Sequence, residues 1–139
     1  MATLPKQKMS SRTRQPLLRT ADTDKFLASF KEAWETRNAE LAASLFTRDA
    51  YYRKDPFDAP IVGREAIHDY WHLATSVQKD VHFTVTNAFR SGYVLVAEWI
   101  CTYCQRENGH RRELAGMFVA DFYGKQVRNF RAYWHSRII

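Results

Sequence analysis

From about Val81 onward the chain changes its hydrophobic period from helical to two, and that switch limits the folds open to it. Val81, Phe83 and Val85 alternate with His82, Thr84 and Thr86, the pattern of a strand with one buried face. Ser91-Gly92 turns the chain, and Tyr93–Tyr103 reads as a long second strand. Asn108-Gly109 is a strong hairpin signal, because both residues accept the positive φ that a tight turn needs. Glu113–Phe122 reads as a third strand, Tyr123-Gly124-Lys125 turns, and Gln126–His135 closes the series. Strands joined by such short turns pair antiparallel.

Upstream the spacing is helical. Asp22 or Thr23 can cap a helix running to about Arg37, with Phe26, Leu27, Phe30, Ala33 and Trp34 on one face. Asn38 fits the cap of a short second helix, Ala39–Phe46, broken by Thr47-Arg48-Asp49. Ala50–Lys54 reads as a short strand. Pro60 and Gly63 turn the chain into a third helix, where Ile67, Tyr70, Trp71 and Ala74 fall at helical spacing. Helices followed by strands predict an α+β fold: a cone-shaped, curved antiparallel sheet with three N-terminal helices packed on its concave side. The 139 residues make one folded body, with 1–22 read as a flexible basic tail and 23–139 as the domain.

Charge divides along the same boundary. Lys6, Lys8, Arg12, Arg14 and Arg19 stand in the first twenty residues without an acid, leaving 16 basic against 15 acidic residues in the remainder. The body is therefore near neutral and has no basic stripe for nucleic acid. The lead is Arg-rich and acid-poor like a transit peptide, but its few apolar residues favour a disordered extension. No apolar run is long enough for a membrane helix, and no glycine-rich phosphate loop points to a nucleotide cofactor. Cys101 and Cys104 share a C-x-x-C spacing, yet within a strand they face opposite sides. Free thiols fit a reducing compartment, so a cytoplasmic location is expected. His68 and His72 lie four apart on the third helix, without a third ligand at a convincing spacing, and no metal site is expected.

Asp55-Pro56 is the strongest chemical signal. Pro56 fixes its own φ and holds Asp55 extended at a strand end. A fixed acid facing aromatic residues is one way to build a general base; an aspartate before proline is also an ordinary turn initiator. Arg53 shares a strand face with Asp55. Turned inward, it would lower the Asp55 pKa or stabilise an oxyanion; turned outward, it would leave Asp55 against rings with a raised pKa.

The words Asp55-Pro56-Phe57, Pro60, Gly63-Arg64-Glu65-Ala66-Ile67, the Gly124 turn and Ala132-Tyr133-Trp134 resemble the nuclear transport factor 2-like superfamily, in its SnoaL-like and ketosteroid-isomerase-like branch. The likeness covers about residues 23–136. It implies a cone cavity, a homodimer, and Asp55 at the position of the catalytic aspartate, with Arg53 beside it. Cofactor-free proton transfer of an isomerase, dehydratase or cyclase is then the implied chemistry, with a small apolar or aromatic molecule as ligand. Phe30 and Phe118 fall where the steroid isomerase carries its oxyanion donors, which argues against that activity and leaves a non-catalytic ligand carrier or protein-interaction module as the rival. The family pattern, with strand alternation, gives Phe30, Trp71, Trp99, Phe118, Phe130 and Trp134 as pocket wall, against the alternative that these rings simply fill the cone.

Overall fold

A computed structural model describes residues 17–139. The basic lead falls, through residue 16, outside the described residues. The folded body begins earlier than expected: Leu18 is buried in the core and helix α1 spans Thr20–Glu35. Asp22 is not its cap residue. It lies in the first turn and accepts the backbone N–H of Arg19 at 3.3 Å, where a carboxylate also meets the positive end of the helix. Asn38 caps α2 (Ala39–Ser44) by accepting the Leu41 N–H at 3.0 Å. Phe46, expected to end α2, instead opens β1 (Phe46–Arg53), fully buried.

The two-residue β2 (Ile61–Val62) and helix α3 (Arg64–Ser76) come next. Four long strands complete the chain: β3 (Gln78–Ser91), β4 (Val94–Gln105), β5 (Arg111–Tyr123) and β6 (Gln126–Ile138). The sheet order is β2-β1-β6-β5-β4-β3. The turns predicted at Ser91-Gly92, Asn108-Gly109 and Gly124 are the three hairpins that join β3 to β6 antiparallel.

The expectation of a wholly antiparallel sheet needs one correction. β1 pairs with β6 in parallel. A tight turn forces antiparallel pairing only on the strands that it joins. β1 reaches β6 through α3 and three hairpins, so its direction is free. The result is an α+β domain with a curved, mixed sheet that is not closed.

Register writes the concave face as cross-strand rows. Leu95, Ala120 and Phe130 form one; Ala97, Phe118 and Ala132 the next; then Trp99, Gly116 and Trp134; then Cys101, Leu114 and Ser136. Helices α1 and α3 lay their rings on this face. Phe30 stands at the centre, with centroids 5.3 Å from Trp71, Phe83 and Phe118, and 5.9 Å from Phe130.

Side chains of α1 also grip the sheet. Glu35 accepts the Phe83 N–H at 2.9 Å, and Lys31 donates to the Phe83 carbonyl at 2.6 Å. β3 itself is interrupted twice, between Lys79 and His82 and between Val85 and Asn87. The first irregularity holds Asp80 at φ 52°, a left-handed conformation that Asp tolerates better than most residues.

Gly116 sits between two tryptophans at a point where β5 and β6 approach closely. A Cβ there would fall 2.2 Å from the Tyr133 carbonyl oxygen and 2.7 Å from the Trp134 Cα. Backbone cannot yield as a flexible side-chain tip can. Gly116→Ala should therefore destabilise the fold by about 1–3 kcal/mol, the usual cost of overpacking. Urea denaturation checks this; an unchanged midpoint would mean that the strands part freely.

Candidate functional site

The ring cluster fills the narrow end of the cone but not the whole of it. A cavity of about 340 Å³ remains, near the lower end of the ~300–1,000 Å³ common for small-molecule sites. Its wall holds Phe30, Trp34, Trp71, Trp99, Phe118, Phe130 and Trp134. Every tryptophan of the chain is among them. Phe30, Phe118 and Phe130 are almost wholly buried and close the deep end, whereas Trp134 is 40% exposed and stands at the mouth.

The four indoles differ in their partners. Trp34 Nε1 donates to Gln78 Oε1 at 2.8 Å, and Trp134 Nε1 to the Lys54 carbonyl at 2.7 Å. The Trp99 N–H is buried without a hydrogen-bond acceptor, whereas that of Trp71 has only the neighbouring Tyr52 hydroxyl as a partner, outside ideal geometry. A buried donor left unpaired costs about 1–3 kcal/mol. An orphaned donor in the wall is unsatisfied polarity that an otherwise apolar core avoids.

Asp55 and Arg53 are placed differently from the pocket residues. The Asp55 carboxylate accepts the Phe57 N–H at 2.9 Å and the Asp58 N–H at 3.0 Å. Lys54 lies 3.4 Å away and also pairs closely with Asp58. These two backbone donors, Phe57 foremost, hold the Asp55 pKa down to about 2. The group is thus a turn-organising acceptor, and it is not part of the cavity wall. Arg53 does not point inward either; its Nη1 donates to the Asp58 carbonyl at 3.2 Å.

Alternation explains this arrangement. Tyr52 pairs with Phe130, and Arg53 with Arg131. Phe130 faces in, so Tyr52 faces in, while Arg53 shares the outer face with Arg131. Tyr52 is therefore the residue of β1 in the wall, stacked on Phe130 at 4.6 Å, and Lys54, just past the end of the strand, also borders the cavity. The expectation put Arg53 and Asp55 on one strand face and left the direction of Arg53 open; β1 ends at Arg53, which faces out, and Asp55 lies in the turn beyond it.

The cavity's polar groups were not singled out from sequence. Tyr52 and Tyr70 line it as neutral phenols. Burial raises the Tyr52 pKa well above its ordinary value, with Tyr70 adding and the nearby Trp71 indole opposing. Burial also raises that of Tyr70. Gln78, Tyr103, Gln105, Arg112 and Ser136 ring the opposite side. Tyr103 and Arg112 were readable in principle, since each continues the inward alternation of Trp99 and of Phe118.

The remaining candidates stand apart from the cavity. Cys101 is buried, and burial pushes its thiol up to about 12, which leaves it inert. His68 bridges Asp69 and Glu40, each at 3.0 Å, on the surface. Among the described residues no group of three His, Cys, Asp or Glu could hold a metal ion, and no helix is long and apolar enough to cross a membrane.

Residues 27–130 match the SnoaL-like domain family, and the chain belongs to it. Solved structures of similar shape include a hypothetical protein of ketosteroid isomerase-like fold from Catenulispora acidiphila, in complex with trimethylamine. It is 20% identical with a TM-score of 0.72, covering 78% of this chain and 84% of that one. A putative isomerase from Bacillus subtilis is 20% identical with a TM-score of 0.74, covering 83% and 87%. The epoxide hydrolase/cyclase-like enzyme SalBIII, which has a role in pyran ring formation in the polyether salinomycin, is 12% identical with a TM-score of 0.75, covering 86% and 97%. At these identities the likeness defines the fold: a SnoaL-like cone with a ketosteroid isomerase-like frame. No curated protein matches the chain.

The Asp55 turn has a measurable pH signature. The folded pKa of about 2 lies below the ordinary 3.8, so the ionised form stabilises the fold fully above about 3.8. That contribution is lost as pH falls through about 2. Asn keeps the acceptor oxygen and removes the charge. Wild type should lose thermal stability relative to Asp55→Asn across this window. Parallel melting curves would show that ionisation does not hold the turn.

Proposed function

We propose that this protein binds a small, flat, largely apolar molecule in its cone cavity. One observation carries the reading: an aromatic cavity remains open in which the buried Trp99 N–H has no acceptor. Plain core packing fills such space and pairs such donors. A ligand carrying an oxygen acceptor would do both.

The chemistry favoured is binding without Asp55 as a proton shuttle. A carboxylate held by two backbone N–H groups, with a pKa near 2, is a weak base at neutral pH. The positions of Phe30 and Phe118 give further support, because neither ring can donate to an oxyanion. A carrier or sensor fits best; proton transfer is the reading to restore if Asp55→Asn abolishes a turnover while ligand affinity is kept.

A homodimer is part of the proposal. The convex sheet face presents Ile100, Met117, Val119 and Tyr133 in adjoining rows, with Ile100 and Tyr133 more than a third exposed. A charge at its centre should prevent pairing. Met117→Glu is expected to be a folded monomer by light scattering where wild type is a dimer; a monomeric wild type would remove this part.

With all four tryptophans in the wall, intrinsic fluorescence reports occupancy. A small aromatic ketone should quench it saturably, and Trp99→Phe should weaken binding about five- to tenfold, the worth of one neutral hydrogen bond. Quenching that rises linearly without saturation would count against a site.

A further inference from the structure

Granted the binding reading, the charges around the cavity narrow the class of occupant. The wall contains no Asp or Glu, although the body as a whole carries acids and bases in near balance. Its two charged side chains are Lys54 and Arg112. Lys54 is engaged by Asp55 and Asp58. Arg112 donates from Nη2 to Ser136 Oγ at 2.8 Å, and it forms no ion pair with any described residue. A half-buried guanidinium facing a cavity, with most of its donor fork uncommitted, is suited to receive an anion.

Register places this charge at one end. Arg112 lies opposite Tyr103, two inward positions along β5 from Gly116 in the Trp99 row. At a strand rise of about 3.3 Å per residue, that is about 13 Å from the tryptophan row. Arg112 and its hydroxyl partner are therefore set apart along β5 from the tryptophan row, whereas the other cation, Lys54, is already paired.

We infer that the occupant is an anion: a flat aromatic of roughly bicyclic size bearing a carboxylate or acidic enol, its rings among Trp71, Trp99 and Trp134 and its negative group at Arg112. The rival is a quaternary ammonium, because tryptophan faces attract cations. Such a cation brings no acceptor for the Trp99 N–H. It would also meet Arg112 with no wall carboxylate to offset the repulsion.

Isothermal titration calorimetry with naphthoate, naphthamide and a naphthyl trimethylammonium salt separates these cases. Naphthoate should bind wild type at least about tenfold more tightly than naphthamide, the scale of one charge-assisted hydrogen bond. Arg112→Gln should abolish that ratio, with an unchanged melting temperature showing that the variant is folded. Arg112→Lys should keep part of the preference, since it retains the charge and loses the fork. If naphthamide or the ammonium salt binds wild type as well as naphthoate does, the anion inference falls and the cavity reading stands. If the naphthoate preference survives in Arg112→Gln, the assignment to Arg112 falls. If none of the three binds, both readings fall together.

Discussion

The structure depends on one ring. Phe30 meets α3 through Trp71, β3 through Phe83, β5 through Phe118 and β6 through Phe130. It is the point where helices and sheet are made to agree on a common geometry. Edge-to-face and tilted contacts of this kind add directional preference to the burial of apolar area. The same packing fixes where the cavity begins, because the buried rings in contact with Phe30 occupy the narrow end. Closed core and open site are continuous, and the position of Phe30 sets the boundary.

Much of the fold was legible because the signals were local. Glycine turns, period-two strands and the Asn38 cap each depend on a few neighbouring residues, and each appears where the pattern put it. Three features were not legible. Phe46 is apolar and fits a helix end as well as a strand start; only its full burial between Tyr52 and Phe130 decides. The parallel pairing of β1 with β6 joins segments distant in sequence, and no local pattern encodes it. The gap between Lys79 and His82 depends on Asp80 taking a positive φ, which an Asp in an otherwise regular strand does not announce.

The site shows the same division more sharply. The aromatic wall was readable, because alternation on the last strand ties Phe130, Ala132 and Trp134 together. The inner face of β1 was not, because it follows from pairing with β6. Once Tyr52 is known to oppose Phe130, the inward set becomes Tyr52 and Lys54, and Arg53 turns away with Arg131. A one-residue change of face exchanges every inner side chain of a strand for an outer one, so the neighbours Tyr52 and Arg53 end on opposite sides of the sheet.

The clasp of α1 on Phe83 has a consequence beyond packing. β3 is the outermost strand of the sheet and the longest, and a bare rim of backbone amides and carbonyls would invite another chain to add itself. At Phe83 both outward groups are already taken by the charged pair of Glu35 and Lys31. On either side the irregularities put the next donors and acceptors out of step with any straight partner. The ion pair that seats a helix therefore also occupies the edge of the longest strand at Phe83, where another strand would otherwise pair.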